Sequence, residues 1–395
     1  MKKTPEIFDE IRPYEAGEMK QAFEELLGDR QFNVLLRGFV PWLPKAVSKG
    51  LLRLAFLGVK TPLDFQLRFM KPVVKYLIKK YTDGLTVCRD GAAAVDRRYT
   101  FVSNHRDIVL DSAFLDLLLV QEGFPTTVEI GIGDNLLIYP WIKRLVRMNK
   151  AFIVRRALSL HEMMRSSLLM SQYIHYAVTE KDENIWIAQR EGRAKDSGDR
   201  TQESVLKMLA MGGDLAELNI IPLTISYEYD PCDYLKAKEF QQKRDNPRFK
   251  KSKQDDLDNM RTGILGYKGR VHYHIAAPIN AVLEDLKAQG LPKNEFYKAL
   301  AEYIDREIHS HYRLYPSNYI ALDALNGDTA NADRYTAADK ARFDAYLDGQ
   351  IAKIDLPNKD EAFLRERILT MYANPLRNHL QAVHSQTPQE HGENE

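Results

Sequence analysis

From Leu85 to Ile279, short runs rich in β-branched and aromatic residues alternate with stretches of helical periodicity, and no other feature restricts the fold as strongly. The β-like runs are "LTVCRD", "RRYTFVS", "TTVEIGIG", "KAFIVRR", "NIWIAQ", "LNIIPLTISYEY" and "VHYHIAAPI". Between them lie helical patterns over 108–122, "PWIKRLVRM", "LHEMMRSSLLMSQYIHYAVTE" and "TQESVLKMLAM". Strands that alternate with helices predict an α/β domain with a mostly parallel central sheet covered by helices on both faces. The apolar runs "IWIA" and "IIPLTI" suit central strands buried on both sides, and a hydrophobic content of 44% is enough for a real core.

The flanks read differently. A polar lead-in and the helix "EMKQAFEELLG" precede a block, 31–80, that holds ten basic residues against one acid, Asp64, a local charge of +9. Its Leu, Phe, Val and Trp residues recur with helical spacing, while Pro41, Pro44, Pro62 and Pro72 divide it into short helices. Such a basic amphipathic array suits an anionic membrane surface; the alternative is a helical subdomain whose lysines are simply solvated. The expected layout is a helical region at 1–82, an α/β domain at 83–282, a helical extension at 283–383 and a disordered tail at 384–395. Within the α/β domain, the nearly apolar-free segment 236–261 is expected to be an exposed insertion.

Several function classes lose support. Lys plus Arg, 56, almost cancels Asp plus Glu, 55, so nothing global points to nucleic acid as a partner. Cys88 and Cys232 lack CxxC spacing and are expected to be plain thiols of a reducing compartment. "MKKTPEIFDE" has no apolar run behind its lysines, and no segment approaches the length of a bilayer span. The expected location is therefore cytoplasmic, with any membrane contact peripheral. His105-Arg106-Asp107 copies a kinase HRD, but Ser112 stands where the metal-binding Asn belongs. "GIGDNL" has Leu136 in place of the third glycine of a dinucleotide fingerprint, and His161-Glu162 lacks the second His of HExxH, since Arg165 stands there. His272 and His274 alternate along one strand and have no further ligand at metal-site spacing, so no metal is expected.

What remains is a set of residues just after the β-like runs. Asn104 and His105, with Asp107 and Asp111, follow the second; Arg155 and Arg156 follow "AFIV"; Glu191, Gly192, Arg193 and Lys195 follow "IWIAQ"; Pro222 lies in "NIIPLTISYE". In open α/β sheets, ligands collect beyond the carboxyl ends of the strands, so such residues converge in space. A histidine backed by a carboxylate is a general base. Paired arginines hold phosphate through planar, bidentate hydrogen bonds. With no evident serine or cysteine nucleophile, the set suggests direct attack by the hydroxyl of a phosphate-bearing substrate.

These blocks, in this order, resemble those of the glycerophospholipid acyltransferase superfamily. Its first block pairs a histidine with an aspartate, usually as "NHxxxxD"; its second is an aromatic-aliphatic run ending in arginine; its third resembles "EGTRS"; its fourth centres on a proline. Here Asn104, His105 and Asp111, then "KAFIVRR", then "EGRAK" and then "IIPLTISYE" are similar to them over roughly residues 85–278. The resemblance implies transfer of a fatty acyl group from acyl-CoA or an acyl carrier protein to a hydroxyl of glycerol 3-phosphate or a lysophosphatidate-like acceptor. It implies His105 as base, Asp111 as its partner, Arg155, Arg156 and Arg193 on the phosphate, and Glu191 and Gly192 shaping the acceptor site. No cofactor is implied, and a lipid substrate favours membrane docking through 31–80. One departure is that five residues, not four, separate His105 from Asp111, which leaves Asp107 as a rival partner. A silent relative that only binds lipid, or an α/β enzyme handling phosphate by other chemistry, are the alternatives.

Overall fold

The computed structural model describes residues 4–39, 44–156 and 159–384. Its strands are β1 (Gly84–Arg89), β2 (Thr100–Ser103), β3 (Val128–Gly133), β4 (Ala151–Val154), β5 (Asn184–Ala188), β6 (Ile220–Tyr227) and β7 (Arg270–Ile275). They form one sheet in the order β1-β7-β6-β2-β5-β3-β4. β6, β2, β5, β3 and β4 are mutually parallel. β7 runs antiparallel to β6, and β1 pairs parallel with β7. Five neighbouring strands therefore present their carboxyl ends along one edge, and that edge collects the residues of interest.

The helices before the sheet are α1 (Met19–Gly28), α2 (Arg30–Phe39), α3 (Lys45–Phe56), α4 (Pro62–Asp64) and α5 (Lys71–Tyr81), with a π-helical stretch, Phe65–Met70, leading into α5. Interleaved with the strands are α6 (Leu110–Gln121), α7 (Pro140–Met148), α8 (Leu160–Thr179), α9 (Glu203–Leu209), α10 (Asp233–Asp245) and α11 (Lys253–Leu265). The chain ends in α12 (Asn280–Ala288), α13 (Lys293–Ser310), α14 (Pro316–Asn326), α15 (Ala337–Ala352) and α16 (Glu361–His384).

The pleat explains the layers. Phe101, Trp186, Ile221, Leu223 and Ile225 turn to one face and pack with Val74 and Leu77 of α5 and Leu110, Phe114 and Leu118 of α6. Val102, Ile185, Ile187 and Ile220 turn to the other, against Tyr173 of α8, Leu206 of α9, Leu283 of α12 and Ile304 of α13. Two smaller clusters lie to the sides. Phe23 of α1 stacks on Phe56 of α3 with ring centroids 3.8 Å apart, near Phe65 and Met148. Tyr229, Phe343, Ile368 and Tyr372 bind α14 to α16 to the end of β6.

Two expectations need correction. Segment 236–261 is exposed only in part: it supplies most of α10 and α11, and Lys236, Ala237, Glu239, Gln241 and Asn259 are buried. Its inner face is held by polar contacts that hydrophobicity does not register, such as Lys236 with Asp230 and Gln241 Nε2 with the Asn358 carbonyl at 2.8 Å. The polar lead-in is also part of the core. Phe8 packs edge-on to Tyr173, and Ile153 N of β4 donates to the Ile11 carbonyl at 2.9 Å. The cysteines are both free, Cys88 exposed and Cys232 buried. Apart from His384, which ends α16, the expected tail lies outside the described residues.

Candidate functional site

At the end of β2 the backbone leaves the sheet, and the Asn104 side chain continues the ladder in its place. Its Nδ2 donates to the Ile225 carbonyl at 2.9 Å, and Ile225 N donates to its Oδ1 at 2.8 Å. This fixes the loop that carries His105. Asp107 Oδ1 then accepts from Val109 N and Leu110 N at 2.9 and 2.8 Å, closing an Asx-type turn from which α6 starts at Leu110. The helix begins two residues later than the helical pattern over 108–122 predicts, and the turn before it makes room for the extra residue between His105 and Asp111.

Asp111, in the first turn of α6 and fully buried, gathers that loop around one oxygen. Its Oδ2 accepts from His105 Nδ1 at 2.8 Å, Arg106 N at 2.6 Å and Asp107 N at 3.0 Å. A carboxylate only accepts, so Nδ1 carries a proton, and the neutral imidazole presents its lone pair at Nε2. The carboxylate that reaches His105 is thus that of Asp111. Asp107 instead binds the α6 amides, and burial first, then the neighbouring Asp111 charge, raises its pKa above the usual carboxylate range. Behind the dyad, the Trp186 ring meets His105 edge-on at 5.4 Å and donates through Nε1 to Ser103 Oγ at 3.0 Å. The Tyr273 hydroxyl donates to the Asp111 carbonyl at 2.9 Å.

The cations divide into separate groups. Arg156, after β4, lies over Gly133, where an added Cβ would approach its Nε to 2.8 Å, and its Nη1 is 3.5 Å from Glu191 Oε1. Arg155 turns away and pairs with Glu10 on the surface. Arg193 Nη1 reaches the Arg106 carbonyl at 3.5 Å, and its Nη2 reaches Asn259 Oδ1 of α11 at 3.2 Å. Burial opposes the charge on Arg193, but Cys232, Asp230 and Asp107 hold its pKa above the usual value. Gly192 has φ +69°, a left-handed conformation that explains glycine there. The structure thus joins His105 to Asp111 and Arg156 to Glu191, brings Arg193 to the His105 loop, and leaves Arg155 apart. Sequence reasoning missed the support for this loop from Arg106, whose Nη2 pairs with buried Asp199 at 3.0 Å, and from α11, where a Cβ on Gly263 would strike Asp107. Arg106 sat in the quoted motif; Asp199 and α11 carried no local signal.

Among the described residues, no group of three or more His, Cys, Asp or Glu side chains is placed to hold a metal ion, and no helix is long and apolar enough to cross a membrane. No family model matches the sequence, and no curated protein matches it. Among solved structures, the 1-acyl-sn-glycerophosphate acyltransferase PlsC from Thermotoga maritima is similar at a TM-score of 0.36 and 15% identity, over 70% of this chain and 92% of that one. So slight a likeness assigns no family.

Proposed function

We propose that the chain is an O-acyltransferase of phospholipid biosynthesis that moves a fatty acyl group from acyl-CoA or an acyl carrier protein thioester to a hydroxyl of glycerol 3-phosphate or a lysophosphatidate-like acceptor. The contact that carries this reading is His105 Nδ1 to Asp111 Oδ2, 2.8 Å, at the carboxyl end of β2. Nε2 takes the proton of the acceptor hydroxyl as its oxygen attacks the thioester carbonyl. The imidazolium that forms is stabilised by Asp111. Collapse of the tetrahedral adduct breaks the carbon–sulfur bond, and the proton on Nε2 passes to the leaving thiolate. No covalent acyl-enzyme is needed.

Of the paired arginines, Arg156 is the better phosphate ligand. Its guanidinium pairs with the exposed Glu191 carboxylate, from which a phosphate can draw it by bidentate pairing. Arg155 faces Glu10 instead, and Arg193 holds the His105 loop rather than the acceptor.

A bilayer-borne acceptor also needs a docking surface. On α3, Val47, Leu51 and Leu54, at i, i+4 and i+7, share one stripe and are 47%, 53% and 63% exposed, and Leu57 just beyond is 69% exposed. Val73 and Tyr76 are likewise exposed on the lysine-rich α5, and apolar residues so displayed on basic helices suit the surface of an anionic membrane. Purified protein given labelled acyl-CoA and acyl carrier protein thioesters, with each acceptor, should transfer acyl groups, and His105→Ala should reduce transfer by at least about 10²-fold. Undiminished transfer in that variant would remove His105 as the base.

A further inference from the structure

The α10–α11 hairpin carries a positive charge that its own acids do not balance. Over 233–265 nine basic side chains, Lys236, Lys238, Lys243, Arg244, Arg248, Lys250, Lys251, Lys253 and Arg261, stand against six acids, Asp233, Glu239, Asp245, Asp255, Asp256 and Asp258, a net charge of +3. Three ammonium groups converge on the single buried carboxylate of Glu239. Lys243 Nζ is 2.9 Å and Lys251 Nζ 3.0 Å from it, and Lys195, from the loop after β5, binds the same oxygen as Lys243. Lys251 has one further acid, Asp256, at 3.9 Å. One carboxylate cannot neutralise three cations. Burial, with Lys243 adding to it, holds the Lys195 pKa down to about 8, while Glu239 is held down to about 2, its buried carboxylate kept ionised by Lys195 and Lys243.

This cluster adjoins the catalytic loop. Lys195 is two residues from Arg193, a span of at most about 7 Å of extended chain, and Arg193 touches both the carbonyl next to His105 and Asn259 of α11. Gly263 of the same helix packs on Asp107. Arg248, Lys250 and Lys253, in the turn between the helices and at the start of α11, are exposed and widen the positive field.

We infer that Lys195, Lys243 and Lys251 bind the phosphate of the pantetheine arm of the acyl donor, so that the hairpin docks the thioester beside His105. The inference rests on the proposed acyl transfer. A dianionic phosphate supplies the charge that Glu239 lacks, and ammonium groups serve it as point charges. The shared group comes from either coenzyme A or a carrier protein, and the exposed turn adds attraction for an acidic carrier.

The test is the Lys243→Gln/Lys251→Gln double variant, assayed with acyl-CoA, with acyl carrier protein thioester and with a phosphate-free acyl N-acetylcysteamine. The expected result is a rise in KM for a phosphate-bearing donor on the order of tenfold, with kcat and acceptor KM little changed and the phosphate-free donor unaffected. A rise with only one of the two phosphate-bearing donors supports the inference and identifies that donor. No rise with either, or an equal rise with the phosphate-free donor, overturns it. If the wild type transfers nothing, the transfer reading fails and calorimetric titration with CoA and holo carrier protein decides docking alone. Weaker binding of either by the double variant supports the site; equal or absent binding overturns it.

Discussion

Replacing Asp111 by Asn tests the geometry at its centre, because the change keeps shape and removes one charge. In the wild type the carboxylate lies 2.8 Å from His105 Nδ1, with no exposure of its own. At an effective dielectric constant of about 20, a carboxylate and an imidazolium at that distance attract by about 6 kcal/mol. A neutral amide oxygen in the same place keeps a hydrogen bond of roughly 1–1.5 kcal/mol. About 4.5–5 kcal/mol of stabilisation for the protonated base is therefore lost, a fall in kcat on the order of 10³- to 10⁴-fold. Orientation suffers too, since three N–H donors meet on Oδ2 and an amide that rotates its nitrogen toward them loses all three. Asp107→Asn is the matched control. Asp107 caps the Val109 and Leu110 amides, and asparagine caps as well as aspartate, so kcat should change by less than about tenfold. The assay is release of free thiol from the donor under saturating acceptor, with thermal melts confirming that both variants fold. An equal or larger loss in Asp107→Asn, or a loss below tenfold in Asp111→Asn, would refute the assignment of Asp111 as the partner that tunes His105.

Further outcomes follow from the same contacts. Arg156→Ala should raise the acceptor KM by about tenfold or more, while Arg155→Ala, which breaks only a surface pair with Glu10, should change it less than about threefold; steady-state kinetics with glycerol 3-phosphate and a lysophosphatidate separate the two. Leu51→Asp/Leu54→Asp should abolish sedimentation with anionic vesicles but leave transfer to a water-soluble acceptor intact, and binding by the wild type should weaken at high salt. His309 is neutral in the fold, its Nδ1 facing Arg200 and its Nε2 bonded to the Asp199 carbonyl, and burial, then Arg200, hold its pKa down to about 3. A depressed histidine contributes stability that is present above its unfolded pKa of 6.5 and is lost as pH falls through that value toward 3. Between pH 6.5 and 5 the loss is about 2 kcal/mol, measured as the difference between wild-type and His309→Gln denaturation curves at the two pH values. Parallel curves would remove His309 as the source.

The sheet could be read from the chain because strand identity is local: "IWIA" is apolar at every position and "IIPLTI" at all but Thr224, which suits strands covered on both faces. The histidine could be read for a similar reason, since it stands directly after such a run. Its partner was harder. Six helical steps would carry Asp111 to the far side of the axis from His105, and only the turn built by Asp107 and the Asn104 ladder lets one carboxylate gather His105, Arg106 and Asp107. The two arginines after β4 are alike in sequence, and nothing local sends Arg155 to Glu10, 145 residues earlier, and Arg156 to Glu191.

Segment 236–261 failed for a different reason. A pattern of apolar residues reports burial only when apolar groups are what is buried, whereas α10 buries Lys236, Glu239 and Gln241 by pairing each of them, with nearby Asp230 and with distant Lys195 and Asn358. Buried ions are weak evidence of stability but need their partners in place. A helix held this way is fixed by specific charges rather than by general hydrophobicity, and that connects its misreading to its proposed use. Of the lysines that make 236–261 look like solvated surface, Lys243 and Lys251 pair with Glu239 beside the catalytic loop. A segment kept polar on the inside and basic on the outside is costly as scaffold, and docking of an anionic donor accounts for both properties.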